Sequence, residues 1–315
     1  MSAKPKDEAF QRHPRPQLPT KAALLLESRK PVEKLKASAP KEQTRTPTLY
    51  HESPWKSMSR LGQLVQGNHE WHIGLLKGKL IMMRKMDLDA GRRHLEMVKP
   101  LAHPNIAKLE DLFEDDNSLY FRFEYSRFTL GEVLNVHLHF EESHILTVAH
   151  SIFFAAKHIA AAGIIHNAIS SATIRVCGKS GRVLLSDFDD CIFQSTNLTP
   201  NIDLELLGFT ILECMEGAPS KQLRDANYVR RQRELNQIFG LKDGGRWSGY
   251  KLLVDFLDDL FNEGKPAIAK LDKPHGYITQ HQPEHCIPAP FLELVPLECF
   301  TFWRPEAGNS EGATE

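Results

Sequence analysis

The segment Ile164-Ile165-His166-Asn167-Ala168-Ile169-Ser170-Ser171-Ala172-Thr173-Ile174 sets a histidine a few residues ahead of two adjacent serines. A histidine beside a serine hydroxyl can act as a general base for nucleophilic attack. The competing reading is a core histidine satisfied by buried hydrogen bonds, and with 15 histidines in the chain, nearness to a serine discriminates little. His137 and His139, separated by Leu138, have the alternating spacing of two ligands on a strand face, although a solvated helix end explains them too. No HExxH motif is present. The five cysteines, Cys177, Cys191, Cys214, Cys286 and Cys299, are far apart and form no CxxC pair. This usage fits a reducing compartment and argues against both a disulfide framework and a cysteine zinc site.

The elements that would position these residues change character along the chain. Residues 61–86 read as short strands, of which Leu80 to Met86 is the clearest, preceded by a Lys77-Gly78-Lys79 turn. A helix is expected from Asp89 to Pro100, where proline lacks the N–H that a helix interior needs. Strands Ala107 to Phe113 and Ser118 to Glu124 then flank the acidic turn Glu114-Asp115-Asp116-Asn117. Helices dominate afterwards: Thr129 to His137, Ser143 to Gly163 with Ser143 as N-cap, Asp203 to Glu216, Lys221 to Phe239 and Tyr250 to Asn262. Two short strands, Thr173 to Val176 and Val183 to Leu185, interrupt them. A strand-rich part followed by a larger helical part is an α+β arrangement with a natural cleft between its lobes.

Composition bounds the rest. The chain has 315 residues, 41% hydrophobic and 25% charged, with a formal net charge of −1. Nothing global selects nucleic acid or an anionic membrane as partner. Residues 1–50 hold eleven Lys/Arg against five Asp/Glu and seven prolines, and read as a basic, disordered tail that solubilises, docks or targets. Thr46-Pro47 and Ser53-Pro54 are candidate phosphorylation dipeptides. No secretory signal or apolar run of spanning length is seen, so an intracellular setting, cytoplasmic or nuclear, is expected. Residues 280–315 contain five prolines. They read as a partly disordered extension whose aromatic stretch Phe300-Thr301-Phe302-Trp303 marks packing just ahead of it.

With these segments placed, the sequence resembles the protein-kinase family over roughly residues 60–278. Ile164 to Ile174 is similar to the HRDLKPENI segment. Arg182-Val183-Leu184-Leu185-Ser186-Asp187-Phe188-Asp189 is similar to the strand leading into DFG. Asp203-Leu204-Glu205-Leu206-Leu207-Gly208 resembles the start of the buried central helix, and Leu101-Ala102-His103-Pro104-Asn105-Ile106 the LxHPNI turn. Phe123-Glu124-Tyr125 matches the hinge, with Phe123 in the gatekeeper position. The resemblance implies a two-lobed fold over residues 51–279, with an N-lobe at about 60–124 and a C-lobe at about 125–279.

The resemblance also says which groups phosphoryl transfer needs, since that reaction rests on positioning and charge neutralisation. Ala168 stands where the family has its proton-accepting Asp, and a methyl group accepts no proton. Thr173 replaces the metal-binding Asn, and Ser170 the catalytic-loop Lys. Asp187 survives in the DFG-like motif as a cation ligand, but Asp189 replaces the following glycine and Asp190 adds negative charge. In the small lobe, Arg84 falls on the Lys of the VAIK strand with Lys85 as the neighbouring candidate; alternation lets only one face the cleft. The helix Glu position falls on His94, with Glu96 pointing elsewhere. The glycine-rich loop keeps only Gly67 and Gly74, with Glu70 set to repel phosphate. Only 13 residues separate Asp189 from Asp203, with no APE-like sequence.

One missing electrostatic group commonly costs roughly 3–4 kcal/mol of transition-state stabilisation, and several are altered here. The expectation is a catalytically inactive, kinase-like binding or scaffold module with a protein partner and no required cofactor. The alternative is an atypical nucleotide-binding enzyme or weak unorthodox phosphotransferase using Asp187 with Arg84 or Lys85. A third reading retains ATP as a structural ligand. The cleft, the arginine-rich helix containing Arg224, Arg230, Arg231 and Arg233, and the tails are the candidate partner surfaces. His166 and Asp203 match positions that tie the loop to the central helix in the family.

Overall fold

The computed structural model describes residues 47–67, 69–194, 200–235, 237–280, 283 and 286–299, and the backbone of 302–305. The tail up to residue 46, Phe300, Thr301 and the last ten residues lie outside the described residues.

The N-lobe is built on a seven-stranded sheet. Its strands are β1 (Thr48–Tyr50), β2 (Ser59–Gln66), β3 (His69–Leu76), β4 (Lys79–Asp87), β5 (Leu109–Asp115), β6 (Ser118–Phe123) and β12 (Phe302–Pro305). They lie in the order β1-β5-β6-β4-β3-β2-β12. Two tight turns set the registers. Lys77 and Gly78 take φ of 50° and 75° between the paired residues Leu76 and Lys79, the left-handed pair of a two-residue type I′ hairpin. Asp116 and Asn117, at 43° and 60°, repeat the device between Asp115 and Ser118.

Strand alternation then sorts the side chains of β4. Met82 joins the main core facing the cleft, whereas Ile81 and Met83 join a second cluster on the outer face with Met58, Phe113 and Tyr120. Helix α1 (Leu88–Val98) packs behind β6. The chain enters the fold earlier than the composition suggests. Thr48–Tyr50 pairs in parallel with β5, and Tyr50 stacks on Phe113 with ring centroids 5.1 Å apart. The tail boundary at residue 50 is therefore corrected: a short strand that covers an open sheet edge carries too little periodicity to stand out from a basic, proline-rich stretch.

The C-lobe follows β7 (Phe128–Thr129) and the short helix α2 (Leu130–Leu134). Thr129 caps α2, in a capping box with Glu132. Helix α3 (Glu142–Ala161) is apolar on most of its circumference and lies at the centre, against the buried helix α4 (Asp203–Glu216). Its N-cap is Glu141, reciprocally paired with His144, rather than the expected Ser143. Three short strands, β8 (Ile164–Ile165), β9 (Ile174–Val176) and β10 (Val183–Leu185), frame the loop that carries the candidate residues; β11 (Ile192–Phe193) pairs with β8.

The single helix expected over Lys221 to Phe239 is instead a 3-10 turn at Gln222–Arg224 and helix α5 (Ala226–Glu234). Asp225 divides them, because its carboxylate accepts the N–H groups of Asn227 and Tyr228 and so starts a new helix. Helices α6 (Lys251–Leu260), α7 (Ala267–Asp272) and α8 (Gly276–Gln280) complete the lobe.

The C-terminal extension joins both lobes. Helix α9 (Ala289–Glu298) sets Phe291 edge-on to Phe140 at 5.0 Å, and Glu298 accepts the His137 N–H at 2.9 Å. Strand β12 then runs antiparallel to β2, with Phe302 opposite Val65 and Pro305 opposite Gly62. The extension thereby pairs one sheet edge while β1 pairs the other.

Candidate functional site

The loop between β8 and β9 is held from below. Asp203, 1% exposed at the start of α4, accepts the N–H of His166 at 2.9 Å and of Asn167 at 2.8 Å. His166 is fully buried; its Nε2–H donates to the Ser186 carbonyl at 2.9 Å, and its ring meets Phe188 edge-on at 5.0 Å. Burial holds this imidazole down at about 4, against a hydrogen bond that pulls the other way, so it is neutral at pH 7. Burial pushes the Asp203 carboxyl up to about 6, opposed by its two backbone donors.

His166 therefore acts as a spacer between loop and strand and has no hydrogen bond to Ser170 or Ser171. The hydroxyls of the loop are used locally. Thr173 Oγ1 donates to the Ala168 carbonyl at 2.9 Å and accepts the Ser170 N–H at 2.9 Å. Thr173 closes the loop on itself, and Ala168 presents a methyl group.

Above the loop the cleft is filled by the chain's own side chains. Arg175 on β9 is 1% exposed. Its Nε donates to Ser126 Oγ at 2.7 Å, and Nη2 to the Ser126 carbonyl at 3.1 Å and to Gln66. The guanidinium lies 4.8 Å from the Trp71 ring centroid. Gln66 in turn donates to the Arg127 carbonyl at 2.9 Å and to Glu132 at 2.6 Å, so one polar chain links β2, the hinge and α2. The space left among Trp71, Met82, Phe123, Ser126, Arg175 and Asp187 is about 10 Å³, on the order of one water.

Alternation resolves the Arg84/Lys85 choice. Arg84 points into the cleft and pairs with Asp189, whereas Lys85 sits over the outer Tyr120 ring, 5.6 Å from its centroid. Asp189 also collects His94 Nδ1 at 3.3 Å and His69 Nε2 at 3.4 Å. Residues of β3, β4 and α1 thus converge on one carboxylate in the turn after β10. Burial lowers both histidines, His94 to about 4, so neither carries charge at pH 7.

Asp187 is 8% exposed, with φ of 61°, and neither carboxylate oxygen has a hydrogen-bond partner among the described residues. Burial raises it to about 6 against the attraction of Arg175 and Arg84. Asp187 and Thr173 do not form a magnesium donor set. The threonine hydroxyl is committed to backbone, and the carboxylate lies within the field of Arg175 and Arg84.

The remaining candidates separate. His137 pairs with Glu298, whereas His139 lies against Gly217; among the described residues no cluster of three His, Cys, Asp or Glu is placed to hold a metal. Three arginines of the basic segment 221–234 pair with carboxylates elsewhere in the lobe. Arg224 grips Glu213 at 2.8 and 2.9 Å, Arg230 meets Glu205 at 2.8 Å, and Arg233 pairs with Asp258. Lys265 pairs with Asp259 at 3.1 Å. Sequence reasoning passed over Arg175 and Gln66, and took Trp71 only as a residue filling the degenerate glycine-rich loop. The available signal was a lone arginine in the otherwise apolar strand Ile174-Arg175-Val176, which has to be buried on one face or the other.

Residues 77–203 match the family described as the protein kinase domain, a span running from the turn before β4 to the first residue of α4. The chain is protein-kinase-like. Among curated proteins this kinase-like chain is 23% identical to the CTD kinase subunit alpha of Schizosaccharomyces pombe over 238 residues, 65% of this chain and 40% of that protein. It is 25% identical to the serine/threonine-protein kinase PAK mbt of Drosophila melanogaster over 171 residues, 45% of this chain and 27% of that protein. Cyclin-dependent kinase C-2 C of Arabidopsis thaliana is 23% identical over 211 residues, with shares of 56% and 32%. The matched region spans well under half the length of each of these relatives. Among the described residues no helix is long and apolar enough to cross a membrane.

Proposed function

We propose that this kinase-like chain does not transfer phosphate and works as a binding or scaffold module for a partner protein. The observation that carries the reading is the occupied cleft: Arg175 and Trp71 take up the space beneath the hinge, and Asp189 neutralises Arg84. The methyl group of Ala168 in the loop adds to it, because no carboxylate stands there to orient a hydroxyl. Kinase-like relatives are consistent with either activity or its loss, so the proposal rests on these side chains.

A second reading is favoured by one observation, the unpartnered carboxylate of Asp187. On that reading the cleft opens and takes up ATP, as a structural ligand or for weak, unorthodox chemistry. Thermal unfolding of the purified chain with ATP, with and without magnesium, followed by assays of hydrolysis and transfer, separates the two. The scaffold reading expects no shift and no turnover. Magnesium-dependent turnover abolished by Asp187→Ala overturns it. A shift without turnover supports ATP as a structural ligand.

A further inference from the structure

We propose that Cys177 is a peroxide-reactive thiol and that Cys286 resolves it, closing a disulfide that fastens the C-terminal extension to the turn between β9 and β10. The turn folds tightly on itself. The Gly181 N–H donates to the Cys177 carbonyl at 2.8 Å, and the Cys177 N–H to the Arg182 carbonyl at 3.0 Å. Burial alone would raise the Cys177 thiol. Hydrogen bonds from the Ser180 side chain and backbone and from the Lys179 backbone, with the Arg182 charge, outweigh it and hold the thiol below its ordinary value. Cys191, Cys214 and Cys299 are all shifted upward by burial. A half-buried thiol with polar donors and a cation beside it is the environment that favours the nucleophilic thiolate.

Cys286 reaches the same turn from the far end of the chain. It is exposed, and the next residue, Ile287, donates its N–H to the Gly181 carbonyl at 2.7 Å. A Cβ on Gly181 would lie 3.0 Å from the Cys286 Cβ and 2.1 Å from the Ile287 oxygen, and its φ is +65°, so only glycine fits here. The two cysteines meet at this one residue: the Cys177 backbone carbonyl accepts its N–H, and the Cys286 Cβ packs where a side chain on it would stand. A low-pKa thiol with a second cysteine packed against the same turn is the arrangement of a reversible redox site.

In the first step the Cys177 thiolate attacks one oxygen of hydrogen peroxide. The S–O bond forms, the O–O bond breaks, and the departing hydroxide takes a proton to become water. Cys177 is then a sulfenic acid, oxidised by two electrons. In the second step the Cys286 sulfur attacks that sulfur; the S–S bond forms, the S–O bond breaks, and the leaving hydroxide takes the Cys286 proton as a second water. The bond pins the segment that continues through α9 to β12.

The test treats the full chain with hydrogen peroxide under native conditions and maps its peptides without reduction. The expected product joins the Cys177 and Cys286 peptides and is lost in both Cys177→Ser and Cys286→Ser. In Cys286→Ser, dimedone should label Cys177. On untreated protein, iodoacetamide should alkylate Cys177 at a lower pH than Cys286, a comparison that needs no variant. Alkylation in the reverse order, oxidation that spares Cys177, or a stable Cys177 sulfenic acid in the unsubstituted chain with no bond to Cys286 overturns the proposal.

Discussion

The floor and the roof of the interlobe cleft handle buried charge in different ways. Below the β8–β9 loop, each oxygen of Asp203 accepts one backbone N–H, and the geometry is local to two residues of the loop. Above it, Arg175 Nη1 and both oxygens of Asp187 have no hydrogen-bond partner among the described residues, and Asp189 is shared among Arg84, His69 and His94. In the floor the Asp203 carboxylate is paired by two backbone donors and fixes the loop conformation, while His166 Nδ1 has no hydrogen-bond partner among the described residues. The roof is a set of charges that fill a volume and neutralise one another only in part. A kinase-like chain can therefore keep its frame under one set of constraints while the reacting region comes under another.

The comparison breaks most visibly at the floor. Asp203→Ala leaves two buried N–H groups without acceptors and should lower stability by about 3–5 kcal/mol, read from urea denaturation. A loss near zero would show that the frame does not depend on this carboxylate.

Acid titration sharpens the contrast. Asp187 and Asp203, raised to about 6 from an ordinary 3.8, favour the folded state below 3.8 and lose that contribution as pH rises through 6. His94 and His166, lowered to about 4 from 6.5, favour the folded state above 6.5 and lose that contribution as pH falls through 4. Two groups oppose two, so stability should change little between pH 6 and 4. Asp187→Asn removes one proton acceptor from the folded state. The variant should lose stability on acidification relative to the unsubstituted chain, followed as Tm against pH.

Smaller effects are expected in the roof. Asp189→Ala frees Arg84, but the Asp189 side chain is 20% exposed. The variant should lose about 1 kcal/mol, since the released guanidinium can reach water. Exchanging Arg175 and Asp187 together for leucine removes both buried charges and should change stability by less than about 1 kcal/mol by the same measurement. A loss comparable to that of Asp203→Ala would show that the roof is as tightly specified as the floor.

Much of the frame was legible in the sequence because it rests on short-range signals. The apolar run of β4, the Lys77-Gly78 turn and the order of His166, Asp187 and Asp203 all declare themselves locally. Helix boundaries were less legible where a side chain competes for the backbone, as Asp225 does in dividing the expected helix and Glu141 in capping α3 two residues earlier than Ser143. The strands Thr48–Tyr50 and Phe302–Pro305 were hidden because each is defined by a partner far away in the chain.

The sequence by itself determined that residue 168 carries a methyl group: Ala168 offers no carboxylate in any conformation. The tertiary structure alone decided what fills the cleft. Whether Arg175 lies beneath the hinge, or Arg84 faces Asp189 while Lys85 faces outward, depends on strands and helices brought together from Gln66 to Asp189. Charge pairing acts over a few ångströms of space, and separation along the chain does not encode that distance.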